Sequence, residues 1–111
     1  MIEKIVLDYL TTKLTPTAVV MEEPKSSVAK FVLIEKTGGG EKDHIESATL
    51  AIKSYDSTLY KAASLNESVK TAMKDIVELS TVFGCKLNAD YNFTDTTEKR
   101  YRYQAVFDIY Y

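Results

Sequence analysis

The chain has 111 residues, 45% of them hydrophobic and 27% charged, with 14 Lys and Arg against 16 Asp and Glu for a net charge of −2. That length fits one domain, residues 1–111, with a modest core that needs neither disulfide nor metal. The near-balanced charge excludes broad electrostatic attraction to nucleic acid or anionic membrane, and no stretch approaches the roughly 18–20 apolar residues of a membrane span.

The first element is an amphipathic helix. Ile2, Ile5, Val6, Tyr9, Leu10 and Leu14 recur at intervals of three and four, with Glu3, Lys4, Asp8 and Lys13 between them. Thr15-Pro16 ends it, because the residue before proline is pushed out of the helical region. The same N-terminal stretch has neither the basic region nor the unbroken apolar run of a secretory leader. With Cys85 as the single cysteine, that points to a soluble protein of the reducing cytoplasm. Thr17–Glu22, rich in β-branched residues, reads as a strand, and Glu23–Ser27 as a turn.

Val28–Lys36 is a second strand. Its centre, Phe31-Val-Leu-Ile34, is apolar at every position, so both faces need cover. One face would take the helices, and a partner subunit is a candidate for the other. Thr37–Asp43, with Gly38, Gly39 and Gly40, reads as a long mobile hairpin loop before a third strand, His44–Tyr55.

Helix two is expected from about Ser57 to about Leu79, capped by Asp56 or Ser57. Ala62, Leu65, Val69, Ala72, Met73, Ile76 and Leu79 form its apolar stripe, and Lys61, Asn66, Lys70, Lys74 and Asp75 its wet face. Ser64-Leu-Asn-Glu67 matches a capping box and offers a later start at Asn66. The stripe crosses that point without a shift, which favours one long helix. Gly84 breaks the pattern. Lys86–Phe93 alternates, with Leu87, Ala89, Tyr91 and Phe93 on one side and Asn88, Asp90 and Asn92 on the other. After a turn at Thr94–Thr97, Arg100–Tyr111 alternates again. The order α-β-β-β-α-β-β implies an α+β fold: a mainly antiparallel sheet of about five strands with both helices packed on one face.

Chemistry is sparse. Three glycines suggest a phosphate loop only when a lysine and a hydroxyl follow on a helix, and here Glu41-Lys-Asp43 leads into a strand. One histidine, His44, and one cysteine do not make a zinc set. A nucleophilic Cys85–His44 pair requires the fold to bring the two together, and the sequence favours a small, partly buried thiol. No carboxylate stands inside an apolar run, where burial would raise its pKa. No cofactor or metal is expected. Lys99-Arg-Tyr-Arg-Tyr103 interleaves cations with aromatics, which would grip single-stranded nucleic acid if both types shared a face. The period of two instead separates them, leaving Arg100 and Arg102 as candidates for an intersubunit salt bridge with an acidic strand or turn. Tyr55, Tyr60, Tyr91, Tyr110 and Tyr111 fall near element ends, a placement favoured at protein interfaces.

The ordered features are the short first helix, the Pro24 turn, Phe31-Val-Leu-Ile-Glu-Lys-Thr-Gly-Gly39 and the strand ending Ala51-Ile-Lys-Ser-Tyr55. Tyr60-Lys-Ala-Ala63 with Val69 follows, then Arg102-Tyr-Gln-Ala-Val-Phe-Asp-Ile109. Over nearly its whole length the chain resembles the small tail-terminator, or tail-completion, proteins of long-tailed bacteriophages and prophages. Two departures are the third glycine and Tyr55, where relatives often have tryptophan. The resemblance implies a structural virion protein and no enzyme, assembled in the bacterial host cytoplasm. It implies a six-fold ring of copies on the head-proximal end of the tail tube, ending tube polymerisation and offering a surface for head joining. The implied partners are other copies of the chain, the major tail-tube protein and a head-completion or connector protein. Neither a membrane nor, beyond DNA passing through the ring, a nucleic acid is implied. Such a ring needs two different patches per subunit. Thr37, Gly38, Gly39, Gly40, Glu41, Lys42 and Asp43, with Arg100 and Arg102, are the expected contact residues. The competing expectations are a small α+β binding module, possibly for nucleic acid, a small enzyme using Cys85 or His44, and a neighbouring head–tail connector component.

Overall fold

The computed structural model describes residues 1–26 and 28–111. Helix α1 spans Ile2–Lys13, strand β1 Ala18–Val20, β2 Phe31–Lys42, β3 Ile45–Tyr55, helix α2 Leu59–Lys74, β4 Gly84–Asn92 and β5 Arg102–Tyr110, with a 3-10 turn at Ile76–Glu78. The fold is α+β, with a five-stranded sheet in the order β1-β2-β3-β5-β4. Three pairings are antiparallel, and β1 adds a short parallel edge, Ala18 opposite Phe31 and Val20 opposite Leu33.

Both helices lie on one face. From α1, Ile2, Val6 and Leu10 pack with Leu65, Val69 and Met73 of α2 against Val32, Ile34, Leu50, Ile52, Phe107 and Ile109 of the sheet, all in one buried cluster. Burying each large side chain contributes about 1.5–3 kcal/mol, which makes this layer the principal stabilising feature. Tyr9 reaches across it, its hydroxyl donating to the Ala72 carbonyl at 2.7 Å.

Several sequence expectations shift at the edges. Helix α2 begins later, at Leu59, because Thr58 is the cap: its Oγ1 accepts from the Lys61 amide at 3.1 Å. Asp56 instead accepts from the Ser57 amide. The Ser64–Glu67 capping box is not used, and the helix runs through it. It stops at Lys74, with Ile76–Glu78 tightening into the 3-10 turn. The first strand shrinks to three residues and the second starts at Phe31 rather than Val28. Of the turn expected at Glu23–Ser27, Ser27 lies outside the described residues.

Two bulges rephase the sheet. In β2 the register slips between Lys36 and Gly38, and in β4 between Leu87 and Ala89. The second corrects the expected alternation. Leu87 pairs with Phe107 on the helix side, but Ala89 and Tyr91 pair with Val106 and Gln104 on the helix-free side. Asp90, expected on the side opposite Leu87, pairs with Ala105 and so faces α2 as Leu87 does. There Asn66 Nδ2 donates to Asp90 Oδ1 at 2.7 Å and Lys70 Nζ reaches Oδ2 at 2.6 Å. Asn66, expected on the wet face, is 1% exposed because this contact draws it inward.

Candidate subunit-contact surface

The expected glycine loop is a strand. Gly38 pairs with Thr49, Gly39 with Ala48, Gly40 with Ser47, Glu41 with Glu46 and Lys42 with Ile45. The reversal takes only Asp43 and His44, whose φ values of 52° and 66° are the left-handed pair that a two-residue hairpin turn demands. Thr37–Lys42 therefore forms a hydrogen-bonded ribbon, and the mobile-loop expectation is corrected for these residues. The physical reason is the continuing ladder to β3: backbone pairing holds the segment, with the Thr37 hydroxyl donating to the Thr49 carbonyl at 3.3 Å. Among the described residues β1 covers only Phe31–Leu33, so the outer edge of β2 from Ile34 to Lys42 has no neighbouring strand. Gly38 and Gly40 lie on the helix-free face, with Gly39, Glu41 and Glu46 toward the other.

The second cover for Phe31-Val-Leu-Ile34 comes from this chain itself. Phe31 and Leu33 are buried with Tyr55 on the helix-free face, flanked by Val20. The Phe31 and Tyr55 rings stack at 4.3 Å with 13° between their planes. Arg100 lies over the Tyr55 ring at 4.9 Å and forms an ion pair with Glu23. Arg102 sits over the Phe93 ring at 4.5 Å. Its Nε donates to the Phe93 carbonyl at 2.6 Å and its Nη1 to the Tyr55 hydroxyl at 3.3 Å. Both arginines thus have partners within the chain, and the acidic turn that Arg100 meets is its own. Each cation–ring contact of this kind stabilises by about 0.5–2 kcal/mol, according to its exposure.

The remaining chemistry-bearing residues stand apart. His44 is exposed at the hairpin turn, whereas Cys85 in β4 packs half-buried against the core. Burial, then the Asp108 carboxylate, pushes the Cys85 thiol from its ordinary 9.0 up to about 11. Such a thiol is protonated at neutral pH and a poor nucleophile. Among the described residues no group of three or more His, Cys, Asp or Glu is placed to hold a metal ion. No described helix is long and apolar enough to cross a membrane. A cleft of about 600 Å³ between the end of α1 and the start of α2 presents Lys13, Lys30 and Lys61 beside Thr15 and Ser64, open to solvent.

The sequence reading missed the opposite edge of the sheet. β4 pairs only with β5, so its outer side is also uncovered among the described residues. Leu87 is 44% exposed there and Phe83, just before the strand, 71%. A groove of about 200 Å³ between α2 and β4, with Met73, Cys85, Leu87 and Phe107 in its lining, continues that apolar edge. The available signal was a strand rich in polar residues carrying one isolated leucine. In comparison with known proteins, the chain matches no family model and no curated relative.

Proposed function

We propose that this chain is a structural protein of a long-tailed phage or prophage. In this reading copies close into a ring, six-fold by the resemblance, that caps the tail tube and receives the head connector. The observation that carries the reading is the β2–β3 hairpin. Its strands run 12 and 11 residues, and beyond Leu33 its outer edge carries no strand among the described residues. A long hairpin with an uncovered edge supplies one of the two patches that a head-to-tail ring requires. The element order α-β-β-β-α-β-β with one-sided helices is the one the residue patterning implies, and it leaves the other sheet face and the edges for contacts. The raised Cys85 thiol further favours a structural role over thiol chemistry.

A second reading, a nucleic-acid-binding module, draws on Tyr91 and Phe93, 40% and 38% exposed on the helix-free face beside Arg102. The hydrogen bonds on Arg102 and the ion pair on Arg100 weigh against it, because both cations are already engaged.

The test is mass in solution across concentration, followed by electron microscopy of the large species, with and without the neighbouring tail-tube protein. Closed rings are expected, and removing the gene from the phage should give tails of unregulated length without heads. A chain that stays monomeric under every condition, or that binds DNA tightly with steep salt dependence, would count against the ring.

A further inference from the structure

Among the described residues the sheet has two uncovered edges, the outer side of β2 beyond Leu33 and that of β4, and their directions are related. β2 is antiparallel to β3, β3 to β5, and β5 to β4, so β2 and β4 run in opposite senses. When copies are placed side by side with the same orientation, β4 of one therefore lies antiparallel to β2 of the next. The ladder continues without reversing any subunit. We propose that the occupant of the β2 edge, from Glu35 to Lys42, is the β4 edge of a second copy of this chain, Gly84 to Asn92. This rests on the ring reading and names the surfaces that would build it.

Three further observations support the pairing. Edge strands with free N–H and C=O groups template the addition of another strand, and soluble proteins blunt them with charge or bulk. On β2 the charges of Glu35 and Lys36, and of Glu41 and Lys42, stop at the three glycines, which leaves that stretch of edge bare. The interior of the chain accounts for only one of those glycines. A Cβ on Gly39 would sit 3.2 Å from the Ser47 carbonyl oxygen, but at Gly38 it would meet nothing within 4 Å and at Gly40 only Ser47 Oγ at 3.6 Å. No glycine here has positive φ, so backbone conformation does not demand the residue. Glycine in a strand also marks places where another backbone approaches closely. On the other side, the edge strand β4 carries Leu87, exposed on its helix-side face, with Phe83 exposed just before it. One edge is bare and the other is bordered by exposed apolar side chains, so the two are unlike, as a head-to-tail contact needs.

The experiment uses two full-length variants that each spoil one edge. Gly38→Lys with Gly40→Lys places charges on β2 where the chain leaves space, and Leu87→Lys does the same on β4 at an exposed position. Circular dichroism and denaturation midpoint report that each variant folds. Each variant alone is expected to be monomeric where the wild-type chain assembles. An equimolar mixture retains one intact β2 edge and one intact β4 edge, and is expected to give a heterodimer of twice 12.5 kDa that grows no further. Hydrogen exchange in wild-type assemblies should slow in the 35–42 and 84–92 peptides together. Full assembly by either variant alone overturns the edge pairing and leaves the ring reading standing. Homodimers of the Leu87→Lys variant through β2 alone, or a mixture that stays monomeric, also overturn it. A wild-type chain that never assembles overturns both.

Discussion

Replacing Asp90 with alanine strikes the place where the β4 bulge brings a carboxylate under α2. Asn66 is 1% exposed, and among the described residues its side chain makes one hydrogen bond, from Nδ2 to Asp90 at 2.7 Å, with no partner for Oδ1. Asp90→Ala therefore strands a whole amide in the interior, at a cost of about 1–3 kcal/mol. Lys70 loses its 2.6 Å contact but keeps Glu67 at 2.9 Å, which adds about 0.2–1 kcal/mol. The expected loss is about 2–3 kcal/mol, or roughly 10 °C in midpoint for a domain of this size. Asn66→Leu removes the amide, so in that background Asp90→Ala should cost under about 1 kcal/mol, giving a coupling of about 1.5–2 kcal/mol. Urea unfolding of the four proteins at concentrations where each is monomeric measures the cycle. Had β4 kept an unbroken alternation, Asp90 would face solvent on the other side, and its removal would register within about 0.5 kcal/mol. That small value, or equal costs in the two backgrounds, would refute the bulged register and the network built on it.

The Cys85 thiol, pushed up to about 11, should alkylate about 100-fold more slowly at pH 8 in the native chain than in urea, since the thiolate fraction falls by that factor; equal rates would refute its burial. The same shift predicts alkaline destabilisation. The folded state holds a proton that the unfolded state releases, so this contribution is complete below about pH 9 and is lost as pH rises toward 11. Lys70, raised chiefly by its hydrogen bond to Asp90 and then by that to Glu67, adds loss of the same sign at higher pH. A urea midpoint that falls between pH 9 and 11, and falls less in Cys85→Ala, checks both signs. Tyr9→Phe should cost about 0.5–1.5 kcal/mol, because the hydroxyl bonds the Ala72 carbonyl across the core; an unchanged midpoint would show that the bond contributes nothing.

The elements whose partners lie on one continuous face were readable from the chain. The α1 stripe, the α2 stripe and the alternation of Ala105, Phe107 and Ile109 all point into the layer that buries them. The errors gather where a neighbouring strand, not local composition, decides the conformation. Nothing around Asn88 signals an extra residue, because the bulge exists only relative to β5. The glycines looked like a loop because propensity cannot register a ladder supplied by Thr49, Ala48 and Ser47. Arg102 does lie on the face opposite Tyr103, as the period of two implies, pairing with Tyr55 where Tyr103 pairs with Ser54. The partners of Arg100 and Arg102, Glu23, Tyr55 and Phe93, are far along the chain and invisible to spacing arguments. Of the candidate contact residues, Thr37–Lys42 are a strand rather than the expected loop, and the β4 edge left no signal beyond Leu87.

The stacking of Phe31 on Tyr55, clasped by two guanidinium groups, anchors only one end of the long hairpin. Toward Asp43 the ribbon thins to backbone bonds and exposed side chains. Opening should therefore be graded along its length: amides near the turn exchange through small local excursions, and those beside Val32 only when the domain melts. A clamped root with a compliant tip behaves as a cantilever. It fixes where the projecting end meets its surroundings while leaving that end free to yield, the latitude that the proposed ring of identical parts would need to absorb the angular error left at its final joint.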